Sequence, residues 1–405
     1  MKPIVRAGRM KPVHSDIRGP LFVEAMKRQK QGIDILKLNT GNPATFGFGL
    51  PDSIKNALME HMRDGVGYCD FKGMPQARQA ICDYETSKGI KGITPDDVFI
   101  GNGVSEVVSF ALTPLLNDGD EVLVPSPSYS LWGNSVYLED GKPVFYTCDE
   151  QANWYPDIQD IRSKITDKTK AIVIINPNNP TGVLYPKELL LEIIQIARES
   201  GLLIFADEIY DRLVMDGKQH ISLASLTEDV PVITLNGLSK SHCLCGYRCG
   251  WMVISGPREL TEDYRQGIIQ LTSLRLCANT MAQIVIPAAL DDMETPASMV
   301  RPGGRIYEQR EATVRELEKI DGLSFVKNDA AFYVFPKLDV KKFNITNDKQ
   351  FAHDLLDATN ILLVPGSGFD WKDPDHFRIV MLPQADILSD AIRRMGTFLD
   401  GYKQK

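Results

Sequence analysis

No stretch of this chain approaches the ~20 consecutive apolar residues that a membrane-crossing helix needs. The N-terminal MKPIVRAGRMKPVHSDIRGP also lacks the apolar core of a signal peptide. A membrane span is therefore not expected, and the cytoplasm is the simplest location. Positive charge is not in surplus: 45 Lys and Arg stand against 53 Asp and Glu, a net charge of -8, which argues against a nucleic-acid surface as the main business of the chain. Anionic ligands would have to be met by a few local arginines. The seven cysteines form no regular framework, which suits a reducing compartment. His242, Cys243, Cys245 and Cys249 crowd into one turn instead of forming the spaced Cys-x-x-Cys pairs of a zinc site, so they read as packing residues and no metal is expected. His14, His61, His220, His353 and His376 are scattered over polar or loop-like contexts. GNG at 101–103 is only a fragment of a dinucleotide fingerprint, with Glu106 where its third glycine would stand, and this speaks against a nicotinamide enzyme. There are no internal repeats and no low-complexity tract.

What is present is a series of short apolar runs. With 405 residues and 43% hydrophobic content the chain can bury a substantial core and has room for two domains. AIVII (171–175) and LLIFA (202–206), with VFI (98–100), EVLVPSP (121–127) and VITLNGLS (232–239), alternate with helical stretches. That is the pattern of buried parallel strands in βαβ units. In such a sheet ligands sit beyond the carboxyl ends of the strands. Tyr129, Asn179, Asp207 and Lys240 each follow one of these runs, so they are expected to converge on one crevice.

Lys240 lies in a Gly/Ser turn, and Arg248 follows eight positions later in a Gly-x-Arg-x-Gly frame. A lysine so placed can form an imine with an aldehyde, and a nearby arginine can fix an anionic handle. On this segment alone a solvated surface lysine reads equally well; the residues at the other strand ends favour the imine. Pyridoxal 5'-phosphate chemistry uses all of them. Asp207 would pair with the pyridine nitrogen and keep it protonated, while Asn179 and Tyr210 would hydrogen-bond the ring's phenolate oxygen and Tyr129 would offer a flat face. GNGVSE (101–106) opens a helical stretch, so its backbone amides and the Ser105 hydroxyl suit a phosphate, with Arg248 as a forked donor.

These residues resemble the fold type I, class I/II aminotransferases, and the resemblance covers nearly the whole chain. The segments that carry it are LNTGNPATFGF (38–48), GYCDFKGMPQARQAI (67–81), GNGVSE, VPSPSY (124–129), NPNNPTG (176–182), ADEIY (206–210), GLSKSHCLCGYRCGW (237–251) and FRIVMLP (377–383). DIRGP, GNPATFGF, GYCDFKG and SLRLCAN point more narrowly to bacterial alanine (glutamate-pyruvate) aminotransferases. The resemblance implies an α/β fold: a doubly wound, mostly parallel sheet in a large cofactor-binding domain, with a second, smaller α+β domain. It implies Lys240 as the imine-forming lysine, with Gly103, Val104, Ser105 and Arg248 on the phosphate. Tyr68 would reach the phosphate of a neighbouring subunit, which makes the active form a homodimer. Arg378, with Asn179 and a backbone amide of Gly41, would hold the substrate's alpha carboxylate. One departure stands out: many relatives have a phosphate-binding serine where this chain has Gly237.

The expected organisation is an N-terminal segment (1–45), a large domain (46–290) and a small domain (291–405) after the break at MVRPGGRIY (299–307). The N-terminal segment would pack with the small domain, whose closure would exclude water. The expected reaction passes an amino group between L-alanine and 2-oxoglutarate, with Arg18 as the candidate cation for the second carboxylate. A broad-specificity or aromatic aminotransferase shares every cofactor group. A C-S beta-lyase uses the same fold, and a cofactor-binding regulatory module would need a DNA-binding region for which there is little room.

Overall fold

The computed structural model describes residues 2–405. At its centre is an eight-stranded sheet of β1 (Val98–Asn102), β2 (Glu121–Ser126), β3 (Lys142–Asp149), β4 (Tyr155–Pro156), β5 (Thr169–Ile175), β6 (Leu203–Asp207), β7 (Val232–Gly237) and β8 (Cys249–Ser255). The spatial order is β1-β8-β7-β6-β5-β2-β3-β4. Strands β7, β6, β5, β2 and β3 run parallel; β8 opposes both β1 and β7, and the short β4 opposes β3. The sheet is therefore α/β and mostly parallel.

The helices used below are α1 (Pro75–Ser87), α2 (Val104–Leu112), α3 (Leu131–Leu138), α4 (Lys187–Ser200), α5 (Leu238–Ser241), α6 (Arg258–Arg275), α7 (Arg305–Leu317), α8 (Asp348–Thr359) and α9 (Ala385–Asp400). AIVII can be apolar at every position because both faces of β5 are covered. Ile172 and Ile174 pack in one cluster with Leu190, Ile193 and Ile194 of α4, whereas Ala171, Val173 and Ile175 join a second cluster with Val107, Val108 and Ala111 of α2. At about 1.5–3 kcal/mol per buried aliphatic side chain, these layers hold the strand ends in place. Ile174→Asp would open one of them. On the β1 and β8 side, Ala77 and Ile81 of α1 pack against Ile100, Trp251 and Val253.

In the C-terminal part, β9 (Tyr333–Val334), β10 (Val364–Pro365) and β11 (Phe377–Val380) form an antiparallel sheet with β11 in the middle. Its apolar residues share a cluster with residues of α7, α8 and α9, which Leu38 joins, and Leu36–Lys37 pairs in parallel with Ile361–Leu362. The run AAFYVFPKL (330–338) reads as one alternating strand in the sequence but forms strand only at Tyr333–Val334 and Lys337–Leu338, with an isolated bridge from Ala330 to Val214. Ala331 turns the chain at φ 59°, and Pro336 has no N–H to give to a ladder. Residues 330–336 are all buried, so the run lines the interior on both sides. Among the described residues no helix is long and apolar enough to cross a membrane.

Candidate active site

The parallel strands deliver polar side chains to one end of the sheet. Asp207 is the last residue of β6 and is buried. The indole Nε1 of Trp132, on α3, donates to its Oδ2 at 3.1 Å, and the Ile209 amide donates to Oδ1 at 3.4 Å. Burial is the larger influence and pushes this carboxyl up to about 6, against those two donors. Only neutral groups in the chain donate to it. A cation placed against it would return it to the carboxylate form.

Lys240 lies on α5, the single turn that follows β7, and its Nζ donates to the Gly41 carbonyl at 2.9 Å. The same ammonium is 5.7 Å from the centre of the Phe332 ring. Gly41 must be glycine here, because a Cβ would stand 2.4 Å from the Tyr333 hydroxyl. Tyr333 in turn shares a hydrogen bond of 2.8 Å with the Tyr210 hydroxyl. Burial is the first cause, and the neighbouring phenol the second, that raises Tyr210 well above the usual tyrosine range, so it stays protonated and can donate.

Arg378, second in β11, is buried between the rings of Tyr333 and Phe369, at 4.6 and 4.5 Å from their centres. It donates from Nη1 to Asn179 Oδ1 at 2.9 Å and from Nη2 to the Asn39 carbonyl. Its Nε has no partner, and none of its hydrogen bonds goes to a carboxylate. Burial draws its pKa down, and the phenols of Tyr333, Tyr210 and Tyr129 act in the opposite direction. A desolvated guanidinium with a free N–H and no counter-ion is costly unless a ligand supplies the anion.

A second group lies at the start of α2. Gly103 precedes the helix at φ 84°, and a Cβ on it would come within 2.2 Å of the Arg248 guanidinium. Gly250 is equally constrained, since its Cβ would meet the Val104 amide nitrogen at 2.4 Å. The absence of two β-carbons thus lets Arg248 and the first amides of α2 share one small space beside Ser105. Glu106 takes no part in that space on its own account: it accepts from the amide and side chain of Asn102 and pairs with Arg275. Gly237 has an extended backbone, and a Cβ there would lie 2.6 Å from the Cys249 carbonyl oxygen. A serine at this position would collide with β8, which accounts for the missing hydroxyl.

The structure thus joins Lys240, Gly41, Asn179, Tyr210 and Arg378 through direct hydrogen bonds or shared contacts with Tyr333, places Asp207 at the adjacent strand end, and draws Tyr129 close enough to influence Arg378. It does not bring in Tyr68, which is 84% exposed, or Arg18, which is exposed and forms no ion pair among the described residues. The cysteines near Lys240 diverge: Cys245 Sγ contacts Asn42 Oδ1 at 3.1 Å, Cys243 faces Met299, and Cys249 is buried in β8. Trp132, Tyr333, Phe332 and Asn39 were not expected. Trp132 stands three residues after Tyr129 in SYSLW, a spacing that could have suggested it; Tyr333 sat in a run that looked like plain core.

Residues 33–392 match the family model described as aminotransferase class I and II. The chain belongs to that family. A glutamate-pyruvate aminotransferase of Haemophilus influenzae is 50% identical to this aminotransferase over 404 residues, covering all of both chains. A crystal structure of an aminotransferase from Escherichia coli superposes with a TM-score of 0.98 at 47% identity over the full length of both. An alanine aminotransferase structure from Pyrococcus furiosus gives 0.93 at 41% identity, over 98% of this chain and 100% of that one. The enzyme described here is therefore an aminotransferase, with amino acids and 2-oxo acids as its substrate classes.

Proposed function

We propose that this aminotransferase transfers the amino group of L-alanine to 2-oxoglutarate, giving pyruvate and L-glutamate, with pyridoxal 5'-phosphate as cofactor. The observation that carries the cofactor reading is the pair of unmatched buried charges, Asp207 and Arg378, in the same group of residues as Lys240. One needs a cation and the other an anion, and a protonated pyridine ring and an amino-acid carboxylate are such a pair. The narrowing to alanine rests on full-length relatives named as glutamate-pyruvate aminotransferase, at 50% identity in the Haemophilus influenzae case, and on the alanine aminotransferase structure from Pyrococcus furiosus.

When bound, the cofactor supplies an aldehyde that carries the amino group and a ring that takes up electrons from the substrate's alpha carbon. Asp207 would hold the ring nitrogen, Asn179 and Tyr210 the ring oxygen, and Tyr129 the ring face. Gly103, Val104, Ser105 and Arg248 would hold the phosphate. Arg378, with Asn179 and Gly41, would clamp the alpha carboxylate and so orient the alpha C–H bond. Lys240 Nζ, which donates to the Gly41 carbonyl at 2.9 Å, would be the base that holds and moves the alpha proton.

We infer further that the active form is a homodimer in which Tyr68 of a second copy reaches the phosphate. Tyr68 stands out beside exposed Val66, with Leu274 and Leu276 also exposed, an apolar composition suited to a covered surface. The division into 1–45, 46–290 and 291–405 lets the part that carries Arg378 close over substrate, with Arg18 meeting the distal carboxylate. Initial rates with L-alanine and L-tyrosine in the presence of 2-oxoglutarate, and with a cystathionine-type thioether both with and without it, test the assignment. A dominant kcat/KM for alanine is expected. Preference for tyrosine would move the enzyme to the aromatic class, and thiol release without an acceptor would make it a lyase.

A further inference from the structure

Behind Asp207 lies a buried charge cluster that the chemistry above does not use. Lys88, just past α1, places its Nζ 2.8 Å from Glu208 Oε2, 3.2 Å from Asp211 Oδ2 and 2.8 Å from Glu85 Oε2, the last in ionic contact but off the hydrogen-bond line. All three carboxylates are buried. Every one is tied to a different element. Glu85, on α1, accepts from Trp251 Nε1 of β8 at 3.2 Å. Glu208 accepts from the Ser222 hydroxyl at 2.9 Å and the Leu223 amide at 3.0 Å. Asp211 accepts from Asn236 Nδ2 of β7 at 2.7 Å and from the Tyr84 hydroxyl at 2.5 Å. Arg212 lies over the Tyr84 ring and donates to its hydroxyl at 3.2 Å. His220 stands 4.0 Å from Glu208 and bonds the Asn176 carbonyl at 3.1 Å; burial draws its pKa down, which leaves it neutral.

The geometry points to Lys88 as a positioning residue, whose ammonium gathers Glu85, Glu208 and Asp211 so that the segment 207–211 holds Asp207 and Tyr210 where they would meet the cofactor. Glu208 is the residue after Asp207 and Asp211 the residue after Tyr210, so two of the three anchors are covalent neighbours of the groups that would touch the ring. Through Glu85 the same cation is tied to Trp251 in β8, and through Asp211 to Asn236 near the end of β7. Without the ammonium, the three buried carboxylates would be left without their shared cation, and the segment from Glu208 to Asp211 would have to move. Displacements of this kind act through geometry, and about a hundredfold in rate hangs on about 1 Å of it. This inference rests on reading Asp207 as the partner of the cofactor's ring nitrogen.

The test follows the half-reaction of the holoenzyme with L-alanine, by the absorbance of the bound cofactor, in Lys88→Met, Glu208→Gln and the double variant. Lys88→Met is expected to lose about a hundredfold in that rate. The double variant, which removes one of the three carboxylates along with the cation, should regain part of that loss, since only Glu85 and Asp211 then lack their partner. A variant that melts earlier yet reacts at the wild-type rate would make the cage merely structural and overturn the inference, and so would a double variant as slow as Lys88→Met. If Lys88→Met does not accumulate as folded protein, Glu208→Gln carries the test: a loss of threefold or more supports positioning, and an unchanged rate removes it. Failure of the wild-type protein to show any cofactor absorbance would strike the cofactor reading instead.

Discussion

The cage around Lys88 and the pocket around Lys240 touch the same strand ends and treat buried charge in opposite ways. In the cage a cation meets three carboxylates, every carboxylate has further donors, and the charges are satisfied within the chain. Arg265 with Asp97 and Arg310 with Asp216 follow the same rule elsewhere. The pocket breaks it, since Asp207 has only neutral donors and Arg378 bonds only an amide and a carbonyl. The difference separates charges that hold the fold from charges that await a ligand. Unmatched buried charge is tolerated where function needs it, and the well-satisfied cage next door keeps it in register.

The contrast can be broken most severely at Lys240. Lys240→Ala should lose about ten-thousandfold or more of turnover, because base and cofactor anchor vanish together; near-normal turnover would end the assignment. Asp207→Asn is the next largest and cuts both ways. Turnover should fall about a hundred- to a thousandfold with loss of the ring's charge partner. The cofactor-free variant should nevertheless be more stable than cofactor-free wild type above pH 6. The sign follows from burial: a carboxyl raised from 3.8 to about 6 in the folded protein binds its proton more tightly than the unfolded chain does. Stability from that proton is full below pH 3.8 and lost as pH rises through about 6, on the order of 3 kcal/mol in all. Thermal melts of both apo-proteins at pH 4 and pH 7.5 check this, and identical pH slopes would refute it.

Arg378→Lys comes third. A point-charge ammonium cannot reproduce the planar fork, so KM should rise about ten- to a hundredfold for every amino acid alike. A rise confined to one substrate would contradict its place at the alpha carboxylate. Arg18→Ala should be the mildest, about fivefold on KM for 2-oxoglutarate with pyruvate unaffected, as befits an exposed cation. Equal effects on both substrates would remove Arg18 from the distal carboxylate.

Much of the fold is legible in the sequence. Short apolar runs rich in Val and Ile, ended by turn residues and alternating with helical stretches, read as strands covered on both faces, so the sheet and the position of Asp207, Asn179 and Lys240 after its strand ends followed from that pattern. The reversed β8 was hidden, because CGWMVIS is as apolar as its parallel neighbours and direction leaves no mark in composition. Tyr333 was hidden for a related reason: an aromatic in a buried run looks like core until its hydroxyl finds a partner. The Lys88 cage could not be read at all, since Lys88, Glu208, His220 and Asn236 are far apart in the chain and each looks like an ordinary surface or loop residue. Tyr68 is a further case. Its exposure in one copy has meaning only if a second copy covers it.

The central claim is that the pocket's unmatched charges belong to a cofactor on Lys240 that accepts an amino group from alanine. The most direct test is the near-ultraviolet and visible absorbance of the purified, reconstituted protein, read before and after L-alanine and again after 2-oxoglutarate. The account predicts a visible band that alanine bleaches to a shorter-wavelength form and 2-oxoglutarate restores, with Lys240→Ala lacking the starting band. A wild-type protein that takes up no pyridoxal phosphate, or whose band neither substrate moves, would contradict it.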